Sequence, residues 1–578
     1  MKTLNLKKQL NEPIGDRPIR LLPGIIIVSV QWFIRFGIPL IVHSDTATQL
    51  GVFGGLLGGL AIVIWWAFFS RANKLDRWSA IGFMIITFFA TSFFLHFSIQ
   101  TAMMGLMFSV YAIPVLCLAF VAWAVLSRKL SVKLQRITMF ATILIACGVW
   151  TLLRTDGMRG NSRNDFAWRW SITAEEKLLT NSDDTNVKLS PDSAAMDTKA
   201  EWPGFRGVNR DGIINGIQIK TDWKAIPPVE LWRQPVGPGC SSFAVNGSLF
   251  YTQEQRGEEE VVSCYTLATG KLVWKHSDKA RFYDSHAGAG PRSTPTLAGD
   301  RIYTLGGTGI LNALNATDGS KIWALDAATE NKVEVLGWGF CGSPLVIDSV
   351  VIISLSGKLV AYHAVNGKPL WNSPDGGNSY SSPHIVTIDG VPQVILMSKS
   401  GALSVEPASG KQLWKYDWPI TDRILQPAVV SGTDLLFTLE TQALRRIHIE
   451  HNKGEWLAKE VWTSDEMKLN FNDIIIHKGY AYGFNGPSIT CIDLKDGKRM
   501  WKGAPYRGWL LLLADQDLLI VLTEKGDIAL VEAKHEQFKE LAKIPAIKGK
   551  TWNHPALVGD VLLVRNAEEM AAFRLITK

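Results

Sequence analysis

The stretch "ATGKLVW" at 268–274 returns in altered form as "TDGSKIW" at 317–323, "VNGKPLW" at 365–371, "ASGKQLW" at 408–414 and "KDGKRMW" at 495–501. Each copy places a glycine four residues before a tryptophan. Working outward, Trp232, Trp274, Trp323, Trp371, Trp414, Trp462 and Trp501 are separated by 42, 49, 48, 43, 48 and 39 residues. A period of that length is one four-stranded propeller blade. Each unit has the same order. A small or polar lead-in precedes an inner strand, as in "GSPLVI" at 342–347 and "SSPHIV" at 381–386. A turn and second strand follow ("DSVVIISL", 348–355), then a third strand ("KLVAYHA", 358–364), the glycine turn and a fourth strand with tryptophan. The glycine supplies the positive φ of a tight turn, and the tryptophan is a flat cover for the gap between neighbouring blades. Lys271, Lys368, Lys411 and Lys498 read as solvated edge charges that discourage sheet-to-sheet pairing.

Inner strands are expected near residues 241, 293, 342, 381, 425, 472, 510 and 553, which makes eight. The last unit, "NHPALVGDVLLVRNAEEMAAFRL", has only three strands, and "VELWRQPV" at 229–236 is an orphan fourth strand at the start. Pairing the two closes the ring and removes the open edges. The prediction is an all-β eight-bladed propeller over 229–578 with a composite last blade.

The first 154 residues have a different character. Five apolar runs, at about 21–42, 49–69, 79–99, 103–126 and 137–153, each approach the ~20 residues that cross a bilayer as a helix, and predict an all-α five-helix transmembrane domain. The first run is too long for a signal peptide, lacks a small-x-small cleavage site and leads into further spans. Residues 1–155 hold 14 Lys/Arg against 4 Asp/Glu, so the rest of the chain is close to −3. The basic excess belongs to loops flanking membrane, and no basic face points to nucleic acid. Lys2, Lys7, Lys8, Arg17 and Arg20 precede the first run; 70–78 holds Arg71, Lys74 and Arg77; 127–136 holds Arg128, Lys129, Lys133 and Arg136. The loops at 43–48 and 100–102 hold none. That alternation expects a cytoplasmic N-terminus in an inner membrane, with everything after 155 outside, in the periplasm if the cell is Gram-negative. Residues 155–228 read as a connector, flexible over the polar 181–200, with "DFAWRW" at 165–170 either lying at the membrane interface or docking. The six cysteines show no metal spacing and read mostly as buried free thiols.

"SITCIDLKDGKRMW" at 488–501 resembles the repeat of the pyrroloquinoline-quinone (PQQ)-type propeller superfamily, with Ala/Cys-x-Asp before a glycine turn and tryptophan. "EWPGFRGVNRDG" at 201–212 is similar to the opening phrase of PQQ-binding-like repeat proteins. The resemblance implies one of two functions. Quinoprotein dehydrogenases bind PQQ and Ca²⁺ in the funnel and oxidise alcohols or sugars. Their membrane glucose-oxidising branch shares this five-span plan and delivers electrons to ubiquinone. The other kind is a non-enzymatic scaffold for outer-membrane β-barrel assembly. A PQQ site needs oxygen ligands for Ca²⁺, a general base, a cation and flat surfaces, all at the lead-ins facing the funnel. Those lead-ins contain Ser241, Ser242, Ser343, Ser382 and His384. Asp473 is the candidate base, Arg292 the candidate cation and Trp552 the candidate stack, with Gln426, Asn472, Asn553 and His554 as further candidate cofactor contacts. Carboxylates are sparse there, and the adjacent cysteine pair of the alcohol-oxidising branch is missing. Polar groups at a propeller axis also commonly satisfy one another. In the spans, Arg35, Asp45 and His96 are candidates for a quinone or proton-relay cluster, or else an Arg35–Asp45 pair beside a snorkelling His96. The function expected is a periplasmic binding or envelope-assembly module contacting the bilayer and envelope proteins. The alternatives are a PQQ-dependent dehydrogenase feeding ubiquinone and a sensor of periplasmic sugars or polymers.

Overall fold

A computed structural model of the chain describes residues 19–42, 45–159, 164–181, 199–418, 426–438, 443–469 and 471–578. Two compact units divide it, Met1–Ser171 and Ile172–Lys578.

The first unit is helical. Four helices are long and apolar enough to cross a membrane: α1 (Leu21–Ile41), α2 (Thr46–Phe69), α4 (Met107–Lys129) and α5 (Val132–Leu152). The expected count of five is therefore corrected to four by this measure. The segment expected at 79–99 does form a helix, α3 (Lys74–Ser92). Lys74, Asp76 and Arg77 occupy its first turn, and the chain breaks before a short helix at Phe97–Thr101. Its unbroken apolar run is thus shorter than the ~20 residues a crossing asks for. Trp65, Trp66, Phe120 and Ile143 centre the core of this unit. After α5 the chain makes a hairpin, Leu153–Met158 against Asn164–Trp168. Trp168 and Trp170 stack at its end, 5.1 Å between ring centroids, with both rings exposed.

The second unit is the eight-bladed propeller. Its inner strands begin at Ala244, Thr296, Leu345, His384, Ala428, Ile475, Gly508 and Ala556, and each leads a four-stranded meander. The last blade is composite: Val229–Pro235 pairs antiparallel with Glu569–Arg574 and so joins the two ends of the unit.

The repeated tryptophan bonds one blade to the next. Its indole N–H donates to a carbonyl in the following blade's glycine turn, three residues before the glycine. Trp232 reaches Leu267 (2.8 Å), Trp274 reaches Ala316 (3.1 Å), Trp323 reaches Ala364 (3.0 Å), Trp371 reaches Pro407 (3.1 Å) and Trp462 reaches Leu494 (3.0 Å). The ring of each tryptophan then lies against the glycine itself. A Cβ on Gly319 would stand 2.4 Å from the Trp274 ring, and the residue has φ +72°, so both contact and backbone select glycine there. Trp414 departs from the pattern and donates to Gln393 of its own blade (2.7 Å). The next blade has a longer hairpin, Leu444–Asn452 against Glu455–Ser464, and no glycine at the matching place. Lys271, Lys368, Lys411 and Lys498 are exposed, as edge charges should be.

Residues 155–228, read from sequence as a connector, divide among three roles. The hairpin belongs to the helical unit, Ala174–Asn181 forms a helix packed on blade 1, and 201–214 is a strap on the inner strands. Trp202 and Val245 exchange backbone hydrogen bonds (3.2 and 2.7 Å), Leu297 N–H donates to the Pro203 carbonyl (2.7 Å), and Ile213–Ile214 pairs parallel with Leu512–Leu513. The strap thereby covers inner-strand edges of blades 1, 2 and 7, which would otherwise face the channel unpaired.

Candidate functional site

The lead-ins converge on the propeller axis because every inner strand starts there. Their small hydroxyl residues form a chain around it. Ser242 N–H donates to Thr294 Oγ1 (3.0 Å), Thr294 N–H to Ser343 Oγ (2.9 Å) and Ser343 N–H to Ser382 Oγ (2.9 Å). Ser242 Oγ donates back to the His554 carbonyl (2.7 Å), tying blade 8 to blades 1 through 4. The serines in the repeated lead-ins therefore satisfy each other's backbone.

Two strap arginines fill the axis. Arg206 and Arg210 are both buried and both have positive φ, 59° and 57°. That backbone is rare outside glycine and marks residues held by their surroundings. Arg206 donates to the carbonyls of Arg210 (3.1 Å), Asp211 (2.8 Å) and Ile474 (2.9 Å), and lies 3.6 Å from Asp473 Oδ2. Arg210 donates to Ser343 (3.3 Å), Pro383 (2.9 Å) and Pro344 carbonyls. One strap thus binds blades 3, 4 and 6 from inside.

Asp473 and His554, lead-in residues of blades 6 and 8, meet at the axis. His554 Nε2 is 2.8 Å from Asp473 Oδ2, and the imidazole packs on Phe205 and Trp509. Burial alone would raise the Asp473 carboxyl, but Arg206 and the His554 hydrogen bond outweigh it and hold the group below its ordinary range. Burial holds His554 below its usual value against the pull of Asp473. The pair is an anionic carboxylate with a neutral imidazole donating to it. His384, also buried, is pushed down to about 3 by burial and then by Arg210 and Arg206. Asn472 Nδ2 donates to Gly508 (2.6 Å), and Asn553 Nδ2 to Gly239 (3.0 Å) and Ser241 (2.7 Å). Gln426 is buried at the start of blade 5, and Asn470 lies outside the described residues.

Arg292 and Trp552 belong to a second group. Arg292 donates to Asp284 Oδ2 (2.5 Å) and to the Gly288 and Ala289 carbonyls, with Cys240 Sγ at 3.8 Å. Trp552 donates to Glu524 Oε1 (2.8 Å), and Lys550 lies 4.4 Å from its ring centroid while donating to the His286 carbonyl. Trp338 packs against Tyr380 and Phe471 and meets the His286 ring edge-on. Sequence reasoning missed Arg206, Arg210, Asp284 and Lys550. The signal for the first two was present in "FRGVNRDG", two arginines in a glycine-rich phrase outside the repeat.

In the helical unit Arg35 and His96 each have described partners of their own. Arg35 is buried between the rings of Phe36 and Tyr111, 4.9 and 4.7 Å from their centroids. His96 Nδ1 contacts Ser98, 2.8 Å from its hydroxyl, at the start of the short helix. Asp45 begins its helix, and its side chain lies outside the described residues.

Eight four-stranded blades, the last of them composite, make the second unit an eight-bladed β-propeller. Residues 229–395 match the family described as outer membrane protein assembly factor BamB. The outer membrane protein assembly factor BamB of Yersinia pestis is 23% identical over 327 residues, 52% of this chain and 70% of that protein. The quinohemoprotein alcohol dehydrogenase ADH-IIG of Pseudomonas putida is 26% identical over 145 residues, 23% of this chain and 19% of the enzyme. Among solved structures, BamB from Moraxella catarrhalis covers 60% of this chain and 97% of its own, at 15% identity and TM-score 0.43.

The resemblance of the repeat to PQQ-type propellers implies PQQ with Ca²⁺, and the residues at the axis do not fit the ion. Ca²⁺ takes six to eight oxygens with carboxylates among them. At the axis Asp473 is the carboxylate, and its Oδ2 is committed to His554 and Arg206. No group of three or more His, Cys, Asp or Glu poised to hold a metal occurs among the described residues.

Proposed function

We propose that this protein is a membrane-anchored propeller acting as a binding or assembly module of the cell envelope. The observation that carries the reading is the occupied axis. Arg206 and Arg210, the hydroxyl chain and the Asp473–His554 pair use one another where a redox cofactor would need free ligands. A propeller closed in this way works through its rims and loops, where repeat proteins present partner surfaces. The match of 229–395 to an outer-membrane assembly factor supports envelope β-barrel proteins, or the machinery that folds them, as partners.

The propeller is proposed to lie on the periplasmic side of an inner membrane. Positive charge before α1, before α3 and between α4 and α5 supports a cytoplasmic N-terminus. Such a placement asks for one crossing beyond α1, α2, α4 and α5, and the segment proposed to complete it is α3 taken together with the short helix at Phe97–Thr101. Its Ile85, Ile86 and Phe89 face outward as lipid-facing side chains would. A reporter enzyme active only outside the cytoplasm, fused after Ser171, should be active; an inactive fusion removes this placement.

The functional test is a deletion strain. The folded fraction of outer-membrane barrels, read by heat-modifiable gel mobility, should fall and recover with the full chain. Unchanged barrels, together with PQQ- and Ca²⁺-dependent oxidation of a sugar or alcohol by the purified protein, would instead favour the second reading, a dehydrogenase passing electrons to ubiquinone. Arg292 and the Trp552 ring are the features that support that alternative.

A further inference from the structure

Arg35 stands out because nothing described neutralises it. It lies within α1, its residue is 6% exposed, and its Nε and Nη2 have no hydrogen-bond partner. No ion pair joins it to a described carboxylate. A guanidinium held this way inside apolar helices is costly, and such residues persist where they bind something. Two further features show that the position is built. Phe33–Gly37 is a π-helical turn, the local widening that re-aims a side chain and is frequent at functional sites. The facing helix α2 gives the arginine room through glycines. A Cβ on Gly55 would come 3.1 Å from Arg35 Cδ, and one on Gly51 would come 3.2 Å from the Arg35 carbonyl oxygen. Phe36 and Tyr111 hold the guanidinium carbon 4.9 and 4.7 Å from their ring centroids, contacts that satisfy none of its N–H groups.

We propose that Arg35 receives the phosphate of an anionic membrane lipid, which supplies the missing countercharge. The planar N–H fork suits phosphate oxygens. Depth favours a lipid over a soluble anion. Arg35 is six residues from the end of α1 at Ile41, about 9 Å at about 1.5 Å per residue. That is within reach of the headgroup layer of a core about 30 Å thick.

The test uses the full chain in detergent, with phosphatidylglycerol, phosphatidylcholine or inorganic phosphate added separately. Native mass spectrometry should show one phosphatidylglycerol retained by the wild type, and thermal stability should rise with that lipid and not with phosphatidylcholine. Arg35→Gln should weaken retention at least tenfold, and Arg35→Lys less. Tyr111→Leu, which removes one face of the clamp, should weaken it severalfold and serves if Arg35→Gln does not fold. Equal retention by wild type and Arg35→Gln overturns the proposal. So does stabilisation by inorganic phosphate alone, which would mean a soluble anion, or a tightly held quinone in place of the lipid. If Asp45→Asn destabilises as much as Arg35→Gln while lipid retention is unchanged, the countercharge is internal and the proposal fails.

Discussion

Two regions of this protein bury arginine, and they do so in opposite ways. At the propeller axis Arg206 has three carbonyls and a carboxylate, and Arg210 has three carbonyls from two blades. In the helical unit Arg35 has two aromatic faces and two N–H-bearing nitrogens without an acceptor. The first arrangement is what a buried charge needs in order to be structural. The second lacks half of it. Burial alone therefore does not mark a functional charge; an unfilled set of partners does. On this comparison the axis of the propeller reads as framework, although its residue types look like chemistry, and Arg35 is the position for which a ligand is proposed.

The comparison can be broken most forcefully at the axis. Asp473→Ala leaves Arg206 buried beside His554 without its carboxylate, and should cost about 3–5 kcal/mol in denaturant unfolding followed by tryptophan fluorescence. Arg35→Gln should cost far less in lipid-free detergent, because it removes an unpaired charge. If the two losses were equal, the distinction would collapse. Trp274→Ala removes an inter-blade ring and its hydrogen bond, and should cost about 3–5 kcal/mol on the same assay. Gly319→Ala should cost more than about 1 kcal/mol, since it meets the Trp274 ring in a left-handed backbone. Acid offers a subtler handle. His384 is held down to about 3 in the folded protein and titrates near about 6.5 when unfolded. Between those values the unfolded chain binds the extra proton, so stability should fall as pH drops from about 6.5 toward 3. Asp473, held low by Arg206 and His554 against its burial, loses its contribution only below the ordinary carboxylate range. His384→Leu should flatten the upper part of that slope if it folds, as followed by thermal melts across pH. Lys271→Ala, at an exposed blade edge, should change stability by no more than about 0.5 kcal/mol.

Much of the propeller could be read in the chain because its determinants are local and repeated. A glycine and a tryptophan four residues apart mark five of the turns. The lone strand at 229–236 and the three-stranded last unit required each other. The strap was not legible as such, because its partners lie far off in sequence: Arg206 meets Ile474, and Arg210 meets Pro344 and Pro383. No period announces a segment that is used once. Asp473 and His554 stand out in the chain as polar lead-in residues, but their mutual bond and the arginine beside them depend on ring closure. The third apolar segment was misjudged by length, since apolarity at 79–99 hides a break after Ser92 and charges at its start. Arg35 was visible as an intramembrane charge; its lack of a described partner emerges only from packing.

The most direct measurement is a calorimetric titration of the purified full chain with PQQ in the presence of Ca²⁺. A propeller whose axis is filled by its own strap should give no stoichiometric binding and no change in melting temperature. One-to-one binding, with PQQ-dependent reduction of an electron acceptor by a sugar or alcohol, would contradict it.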